Sequence, residues 1–268
     1  MLEDPITAER QRLPKFAYSE LNALLLEALA ASTAELRPNY TWGVLHAAWL
    51  AKALGIKQIS AIEFGVAGGR GLIALEKAAE MVEQRLGVAV DVYGFDTGRG
   101  LPKPEDYRDL PNLYEAGTYL MDQEALRRQL QHAKLLIGMI ESTLPEFIAS
   151  QPSPVGFVSI DVDLYSSTMD VFKLFQADQS ILLPRIHCYF DDIMGFTFSE
   201  FTGERLAIAD FNNANPFRKI SPIYGLRYFV PRQFEDAYWI QCMYLAHFFE
   251  HPLNSLDGGL VVQKQENL

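Results

Sequence analysis

The sequence is poor in cysteine, and it has neither a long apolar run nor a cluster of basic residues. Its only cysteines, Cys188 and Cys242, are too few for a disulfide framework and are typical of a reducing compartment. No stretch approaches the roughly 18 apolar residues that a membrane span needs. The charged stretch 1–16 lacks the apolar core of a secretory signal. We therefore expect a cytoplasmic protein without a membrane partner.

Basic residues are also scarce. The chain has 23 Lys and Arg against 34 Asp and Glu, which gives a formal net charge of −11. Because such a protein repels a phosphate backbone, nucleic acid is not expected as its main partner. With 268 residues, 49% of them hydrophobic, the chain can form one large domain with a substantial core. A small molecule is the expected partner.

The hydrophobic spacing predicts a helical N-terminal part. Residues 17–32 and 41–54 carry apolar residues at three- and four-residue spacing, with a break at Pro38 and Asn39. We predict that residues 1–54 form a helical segment that covers a cleft or makes a contact in a homo-oligomer. Residues 55–268 are predicted to form the main domain.

In the main domain, short apolar runs alternate with helical stretches, which predicts an α/β fold with a mostly parallel sheet covered on both faces. The predicted strands are 58–65, 90–96, 134–140, 154–163 and 185–192. The predicted helices are 71–86, 123–133, 143–150, 167–182 and 200–215. Residues 218–231 and 258–264 predict antiparallel strands at the C-terminal edge, with an aromatic-rich segment, 238–251, between them.

The first predicted strand ends in a glycine-rich turn, "AIEFGVAGGRG". Its glycines allow positive φ angles and a close approach of backbone amides to a ligand, as in nucleotide pockets at strand ends. Residues 69–74 fit the dinucleotide pattern G-x-G-x-x-A. Read from Glu63, the turn instead fits E-x-G-x-x-x-G, in which a carboxylate faces the ammonium group of S-adenosylmethionine (SAM). The turn alone does not choose between these cofactors.

The second strand ends in Asp96. An acid at this position can accept hydrogen bonds from both ribose hydroxyls of an adenosine. Alternatively, Asp96 caps a loop with Thr97 and Gly98. We favour the ribose role because Asp96 follows a buried strand beside the glycine turn, and this role suits SAM and NAD equally.

Paired acids follow two later strands. "VSIDVDLYSST" places Asp161 and Asp163 after one apolar run, and "CYFDDIMG" places Asp191 and Asp192 after the next. Because parallel strands end at one edge of the sheet, Asp161 and Asp191 are expected to be neighbours or one strand apart. Carboxylates without a histidine or cysteine cluster suit Mg²⁺ rather than zinc. Alternatively, Asp163 and Ser167 cap the following helix, and the other acids are ordinary loop residues.

Several motifs occur in order between residues 59 and 215: "EFGV", "GFDTGRGLP", "IGMIESTLP", "DVDLYSST", "FDDIMG" and "GERLAIADF". Together they resemble class I SAM-dependent methyltransferases of the macrocin/mycinamicin type, which are metal-dependent sugar O-methyltransferases. The resemblance implies a Rossmann-like class I methyltransferase fold. It also implies transfer of a methyl group from SAM to a hydroxyl of a small molecule, such as a sugar or a natural product.

The resemblance also implies site residues. Asp161, Asp191 and Asp192 would bind Mg²⁺, with Asp163 outside the metal site. Asp161 would in addition be the catalytic base, since a metal that chelates two hydroxyls lowers the pKa of the acceptor. The expected cofactor contacts are Glu63, Gly65, Val66, Ala67, Gly69, Asp96, Thr97, Ile140, Ser142 and Asp161.

The sequence departs from the family pattern at three places. Residues 97–99 replace Ser-Phe-Glu, Ile140 and Ser142 replace an aromatic residue and an acid beside the adenine, and Ile193 replaces a tyrosine. These departures predict a substrate pocket that differs from the pocket of the family. Of the histidines, His187 is expected in the core, and His46 is a weak candidate for the substrate side.

Other functions stay open at this point. A glycosyltransferase would use the DVD motif to hold a metal and a nucleotide sugar, but it would leave the glycine turn with Glu63 unexplained. A catalytically silent SAM-binding protein would be expected to have lost some of the acids, and all of them are present. NAD-dependent oxidoreduction is the third alternative.

Overall fold

A computed structural model describes residues 15–31, 37–195 and 197–256. At its centre is a seven-stranded sheet in the order β3-β2-β1-β4-β5-β7-β6. The strands are β1 Gln58–Phe64, β2 Ala89–Asp96, β3 Lys134–Ile137, β4 Val155–Ile160, β5 Leu182–Phe190, β6 Arg218–Pro222 and β7 Met243–Phe248. Strands β1 to β5 are parallel, and β7 pairs antiparallel with both β5 and β6. The predicted α/β sheet with an antiparallel C-terminal edge is confirmed.

Helices cover both faces of this sheet. They are α1 Lys15–Ala31, α2 Pro38–Ala53, α3 Arg70–Leu86, α4 Gln123–Gln129, α5 Ile140–Ala149, α6 Tyr165–Phe172 and α7 Gly203–Ala214. Every residue of β4 is buried, as expected for a central strand with helices on each side. Among the described residues, no helix is long and apolar enough to cross a membrane.

Helix α2 begins at the proline that the sequence pattern suggested as a break. Pro38 lies in the first turn of α2, where the missing N–H of proline costs no hydrogen bond. The helix ends before Gly55, whose φ of +74° is typical of a glycine just after a helix. Most residues of α2 are buried against α3, β4 and β5. The division at residue 54 and the homo-oligomer contact stay predictions.

Two predicted helices are shorter than expected, for local reasons. The helix predicted over 123–133 ends at Gln129 because the carboxylate of Glu76 accepts hydrogen bonds from the backbone N–H groups of residues 131–133. The helix predicted over 167–182 ends at Phe172 and is followed by two short 3₁₀ turns. Asp178 starts the second of these turns by accepting from the N–H of Ser180.

The C-terminal part of the sheet agrees with the prediction in one strand and differs in another. The edge strand β6 lies within the predicted strand 218–231, but the strand beside it, β7, comes from the aromatic segment 238–251. The predicted strand 258–264 lies outside the described residues. The sequence pattern missed β7 because residues 243–248 show no clean alternation of apolar and polar side chains. The strand is held in the core by aromatic contacts, such as Tyr244 against Phe190 with ring centroids 5.0 Å apart.

The register of the central strands brings their ends level. Phe64 of β1 pairs with Ile160 of β4, which in turn pairs with Phe190 of β5. From β1 the chain adds β2 and β3 on one side of the sheet and then returns to add β4 and β5 on the other side. Ligands of open α/β sheets bind at such a switch point, here between β1 and β4. Asp161 and Asp191 therefore leave neighbouring strands at the same edge, as the sequence predicted.

Candidate functional site

A cleft with a cavity volume of about 340 Å³ opens at the carboxyl ends of β1, β2, β4 and β5. The predicted site residues that line it are Glu63, Gly65, Val66, Ala67, Gly69, Asp96, Thr97, Ile140, Asp161, Asp191 and Asp192. Ser142 is exposed in the first turn of α5 and does not line the cleft. The fold thus gathers nearly all of the predicted site residues at one place, and the adenine contact of Ser142 stays a prediction.

Two glycines of the turn are required by close packing. Gly65 has a φ of +84°, and a Cβ there would lie 1.7 Å from the carbonyl oxygen of Asp161. A Cβ at Gly71 would lie 1.8 Å from Oε1 of Glu63. No side chain fits at either position. The glycines therefore let the first turn of α3 approach the acid at the tip of β1.

Glu63 is held by a hydroxyl from α2. Tyr40 donates a hydrogen bond from its hydroxyl to Oε1 of Glu63 at 2.6 Å. The same hydroxyl oxygen accepts from Oγ of Ser159 at 2.7 Å and from Nη1 of Arg37 at 3.1 Å. Ser159 pairs with Glu63 across β4 and β1, so the sheet register places both residues beneath α2. This network fixes one oxygen of the Glu63 carboxylate.

The second oxygen of Glu63 is buried and has no hydrogen-bond partner among the described residues. Burial raises the pKa of Glu63 to about 7, while the Tyr40 hydroxyl and the Arg37 guanidinium act in the opposite direction. A buried carboxylate oxygen without a partner is costly unless a ligand supplies a donor. Glu63 lines the cleft, so a cationic ligand group can supply that donor.

Asp96 holds the glycine turn against the end of β2. Its Oδ2 accepts from the backbone N–H groups of Val66 and Ala67 at 3.0 and 2.9 Å, and its Oδ1 accepts from Gly98 N–H at 2.6 Å. The contact to Gly98 is the loop-capping contact considered as an alternative. Because a carboxylate oxygen accepts more than one hydrogen bond, the ribose role is compatible with these contacts and stays a prediction.

The acids after β4 and β5 form a cluster of mutually repelling carboxylates. Burial, followed by the charges of Asp191 and Asp192, raises the pKa of Asp161 well above its usual value. Burial and the charges of Asp163 and Asp191 raise the pKa of Asp192 to about 7. Tyrosine hydroxyls partly compensate, since Tyr189 donates to Asp191, and Tyr114 donates to Asp192 at 3.2 Å. The cluster binds protons or other cations more readily than isolated carboxylates do.

Asp163 is not a helix cap. Helix α6 has Leu164 at its N-cap, and the backbone N–H of Ser166 in its first turn donates to Oδ1 of Asp109 rather than to Asp163 or Ser167, so the capping alternative for Asp163 and Ser167 is wrong. Asp163 adopts a left-handed backbone with a φ of +60°, and its N–H donates to Oδ2 of Asp192. Its carboxylate lines the cleft, and burial raises its pKa to about 6.

The chemistry of these donors suits a hard cation, but their geometry does not converge on one point. Within the part of the chain that the structure describes, no group of three or more His, Cys, Asp or Glu side chains is placed to hold a metal ion. Asp161, Asp191 and Asp192 all line the cleft, and carboxylate oxygens are the ligands that Mg²⁺ prefers. The fit to a magnesium ion is therefore one of donor type and charge.

Three other residues at the site gave no usable signal in the sequence. Tyr40, Arg37 and Tyr114 come from segments distant from the motifs, and only the fold brings them to the acids.

Glu204 belongs to the motif "GERLAIADF", but the sequence analysis gave it no role. It lies in the first turn of α7, fully buried and with both carboxylate oxygens unpartnered among the described residues. Burial, followed by the charge of Asp192, raises the pKa of Glu204 well above its usual value.

The histidines lie away from this chemistry. His46 stacks on Trp42 with ring centroids 3.8 Å apart and does not line the cleft, so the structure does not support its substrate-side role. His187 is 8% exposed and packs beside His46 and Trp42 in the core. Cys188 and Cys242 are buried free thiols, as predicted for Cys188.

Comparison with solved structures identifies the fold. The chain is similar to CalS11, a calicheamicin methyltransferase, with a TM-score of 0.51 and 20% sequence identity over 77% of this chain and 88% of that one. The chain has the class I methyltransferase fold. An apo structure of CalS11, described as a TDP-rhamnose 3'-O-methyltransferase, gives a TM-score of 0.41 at 18% identity over 77% and 90% of the two chains. The O-methyltransferase NovP has a TM-score of 0.44 and 14% sequence identity over 66% of this chain and 83% of the NovP chain. No protein-family model and no curated protein matches the chain.

Proposed function

We propose that this protein is a SAM-dependent O-methyltransferase that methylates a hydroxyl of a small molecule. The observation that carries the proposal is the unpartnered, buried Oε2 of Glu63 at the tip of β1, beside a glycine turn. SAM carries an ammonium group that can donate to this oxygen. A dinucleotide offers pyrophosphate instead, which a carboxylate repels. The class I methyltransferase fold that the chain shares with CalS11 supports this choice.

In this proposal the nucleoside part of SAM lies across the tip of β2. Asp96 would accept from the ribose hydroxyls while it holds the backbone of Val66 and Ala67. Ile140 lines the cleft next to the exposed Met139, and both side chains offer apolar surface to a flat base. Thr97 also lines the cleft, and its hydroxyl donates to the carbonyl of Gly100.

Asp161 is the proposed catalytic base. Methyl transfer from a sulfonium needs an acceptor oxygen that is aligned with the methyl group and has lost its proton. Asp161 lines the cleft at the tip of β4, and in the absence of a bound cation its raised pKa makes its carboxylate a stronger base than an exposed aspartate. The proton of the acceptor hydroxyl would move to this carboxylate as the C–O bond forms and the bond between the methyl group and the sulfonium breaks, which leaves the neutral thioether S-adenosylhomocysteine.

We further propose that Asp161, Asp191 and Asp192 hold a magnesium ion. When bound, such an ion would lower the pKa of the acceptor hydroxyl and orient it. A divalent cation would also offset the repulsion that raises the pKa values of Asp161 and Asp192.

A sugar hydroxyl is a suitable acceptor, and the description of CalS11 as a TDP-rhamnose methyltransferase accords with it. The buried free thiols of Cys188 and Cys242 are compatible with a cytoplasmic location.

A methyl-transfer assay with a conservative variant tests the proposal. SAM labelled in its methyl group is incubated with a panel of nucleoside-diphosphate sugars and glycosides, and label in the product is measured. We expect transfer by the wild-type protein and a loss of about a thousandfold or more in Asp161→Asn, because removal of a general base costs roughly this much. Binding of S-adenosylhomocysteine (SAH) should persist in the variant. Full activity of Asp161→Asn would contradict the assigned base.

A further inference from the structure

Among the described residues, Arg37 is one of two basic residues, with Arg70, that line a cleft with seven acidic residues. It lies directly before α2 and lines the cleft together with Glu63 and Asp161. Burial acts to lower its pKa, but the charges of Tyr40, Glu63 and Asp161 raise the pKa above its usual value. The guanidinium therefore stays charged beside a ligand-binding surface.

Arg37 and Glu63 present opposite charges side by side. Nη1 of Arg37 lies 3.1 Å from the hydroxyl oxygen of Tyr40, and Oε1 of Glu63 lies 2.6 Å from the same oxygen. The guanidinium carbon also lies over the Tyr40 ring, 5.1 Å from its centroid. One buried hydroxyl thus contacts both the guanidinium of Arg37 and the carboxylate of Glu63, and it holds the two opposite charges at one end of the cleft.

We propose that Arg37 binds the α-carboxylate of the methionine part of SAM while Glu63 binds the α-ammonium. This inference rests on the proposed function and assigns a residue of the N-terminal segment to cofactor recognition. A guanidinium carries several N–H donors in a planar fork that matches a carboxylate, and the contact to Tyr40 uses only one of them. Apart from Arg70 in the first turn of α3, Arg37 is the only basic residue in the described part of the chain that lines the cleft, and the acids Asp161 and Asp191 line it as well.

The backbone offers a competing site for the same carboxylate. Helix α3 begins after Gly69, which has no side-chain cap, so the amides of its first turn can also attract an anion. In that arrangement Arg37 would only support Tyr40 and Glu63. The two cases predict different effects of an Arg37 substitution on affinity. If Arg37 binds the carboxylate, only ligands that carry a carboxylate should lose affinity. If Arg37 only supports Tyr40 and Glu63, ligands with and without a carboxylate should lose affinity equally.

The test compares two ligands and four proteins by isothermal titration calorimetry. The ligands are SAH and its decarboxylated analogue, which keeps the ammonium and the adenosine. The proteins are the wild type, Arg37→Gln, Arg37→Lys and the control Lys52→Gln. Lys52 is exposed in the last turn of α2, so this control removes one positive charge at the far end of the helix that follows Arg37. Thermal unfolding shows whether each protein is folded.

We expect the wild type and Lys52→Gln to prefer SAH over the analogue by about tenfold or more, which corresponds to about 1.4 kcal/mol. Arg37→Gln should bind both ligands alike, and Arg37→Lys should restore part of the preference. If Arg37→Gln kept the wild-type preference for SAH over the analogue, whether or not both affinities fell, the assignment of Arg37 would be overturned. Failure of the wild type to bind either ligand would instead overturn the proposed function itself.

Discussion

The hydroxyl of Tyr40 lies 2.6 Å from Oε1 of Glu63, although the two residues are 23 positions apart in the chain. Tyr40 comes from α2 and Glu63 from the tip of β1, so the contact joins the N-terminal segment to the proposed cofactor site. The hydrogen bond keeps the pKa of Glu63 lower than burial alone would set it. Helix α2 belongs to the segment that the sequence predicted as a cover for the cleft, and through Tyr40 it also affects the protonation of Glu63.

Removal of this hydroxyl should weaken SAH binding in a pH-dependent way. In Tyr40→Phe the pKa of Glu63 is expected to rise above its present value of about 7. Glu63 is then mostly protonated at neutral pH, and a neutral carboxyl group no longer attracts the ammonium group of the ligand. We expect weaker SAH binding at pH 7 and partial recovery at pH 9, measured by calorimetry. The control Tyr107→Phe removes a hydroxyl from a 68% exposed tyrosine and should leave affinity unchanged. Equal affinities at pH 7 for Tyr40→Phe and the wild type would contradict the coupling.

Two glycines of the same turn should respond differently to alanine. A Cβ at Gly71 would collide with Oε1 of Glu63 at 1.8 Å, whereas a Cβ at Gly68 would meet nothing within 4 Å. Gly71→Ala should therefore weaken SAH binding by about tenfold or more, equivalent to about 1.4 kcal/mol, and Gly68→Ala, which lines the cleft without reaching Glu63, should lose less. Similar affinities for the two variants would show that the turn does not position Glu63.

Metal removal should separate catalysis from cofactor binding. If Mg²⁺ is held by Asp161, Asp191 and Asp192, excess EDTA should abolish methyl transfer while SAH still binds. Added Mg²⁺ should raise the melting temperature of the wild type, because a ligand that binds only the folded state stabilises it. Asp191→Asn should lose most of this rise. Full activity in EDTA, or an equal rise in the variant, would contradict the metal proposal.

Buried histidines should make stability fall in acid. Burial lowers the pKa of His46 to about 4 and that of His187 well below its usual value. Both histidines bind protons more readily when the chain is unfolded, so their contribution to stability is complete above about pH 6.5 and is lost towards pH 4. The raised pKa values of Glu63 and Asp192 act in the opposite direction, so a variant comparison is needed.

His46→Asn isolates the contribution of His46. The Nδ1–H group of His46 donates to the carbonyl of Trp42 at 2.8 Å, and an asparagine amide can replace this donor without titrating. Between pH 7.5 and pH 5 the wild type should lose about 2 kcal/mol more of its free energy of unfolding than the variant does. Urea titrations at both pH values measure this difference, and identical losses would refute the histidine contribution.

The sequence predicted those parts of the fold and site that depend on local pattern. The apolar runs identify β1 and β2, and the order of parallel strands places Asp161 beside Asp191, which the pairing of Ile160 with Phe190 confirms. The contacts of Glu63 were not predictable in this way. Its partner Tyr40, and the donors Arg37 and Ser159 that bind the Tyr40 hydroxyl, meet only because α2 packs on the sheet. No local spacing carries that information.

The remaining differences have equally physical causes. Strand β7 lies in an aromatic segment in which both faces carry apolar residues, so a period of two is absent from the sequence. Helix α4 stops early because the distant carboxylate of Glu76 takes the next backbone N–H groups. The geometry of the acid cluster depends on hydroxyls from Tyr114 and Tyr189, and these contacts are set by tertiary packing.

The most direct test of the central claim is a calorimetric titration of the purified wild-type protein with SAM, NAD⁺ and UDP-glucose. The unpartnered carboxylate oxygen of Glu63 predicts saturable binding of SAM, whether or not UDP-glucose binds as an acceptor, and no measurable binding of NAD⁺ under the same conditions. Binding of NAD⁺ or UDP-glucose without binding of SAM would contradict the assignment and favour an oxidoreductase or a glycosyltransferase.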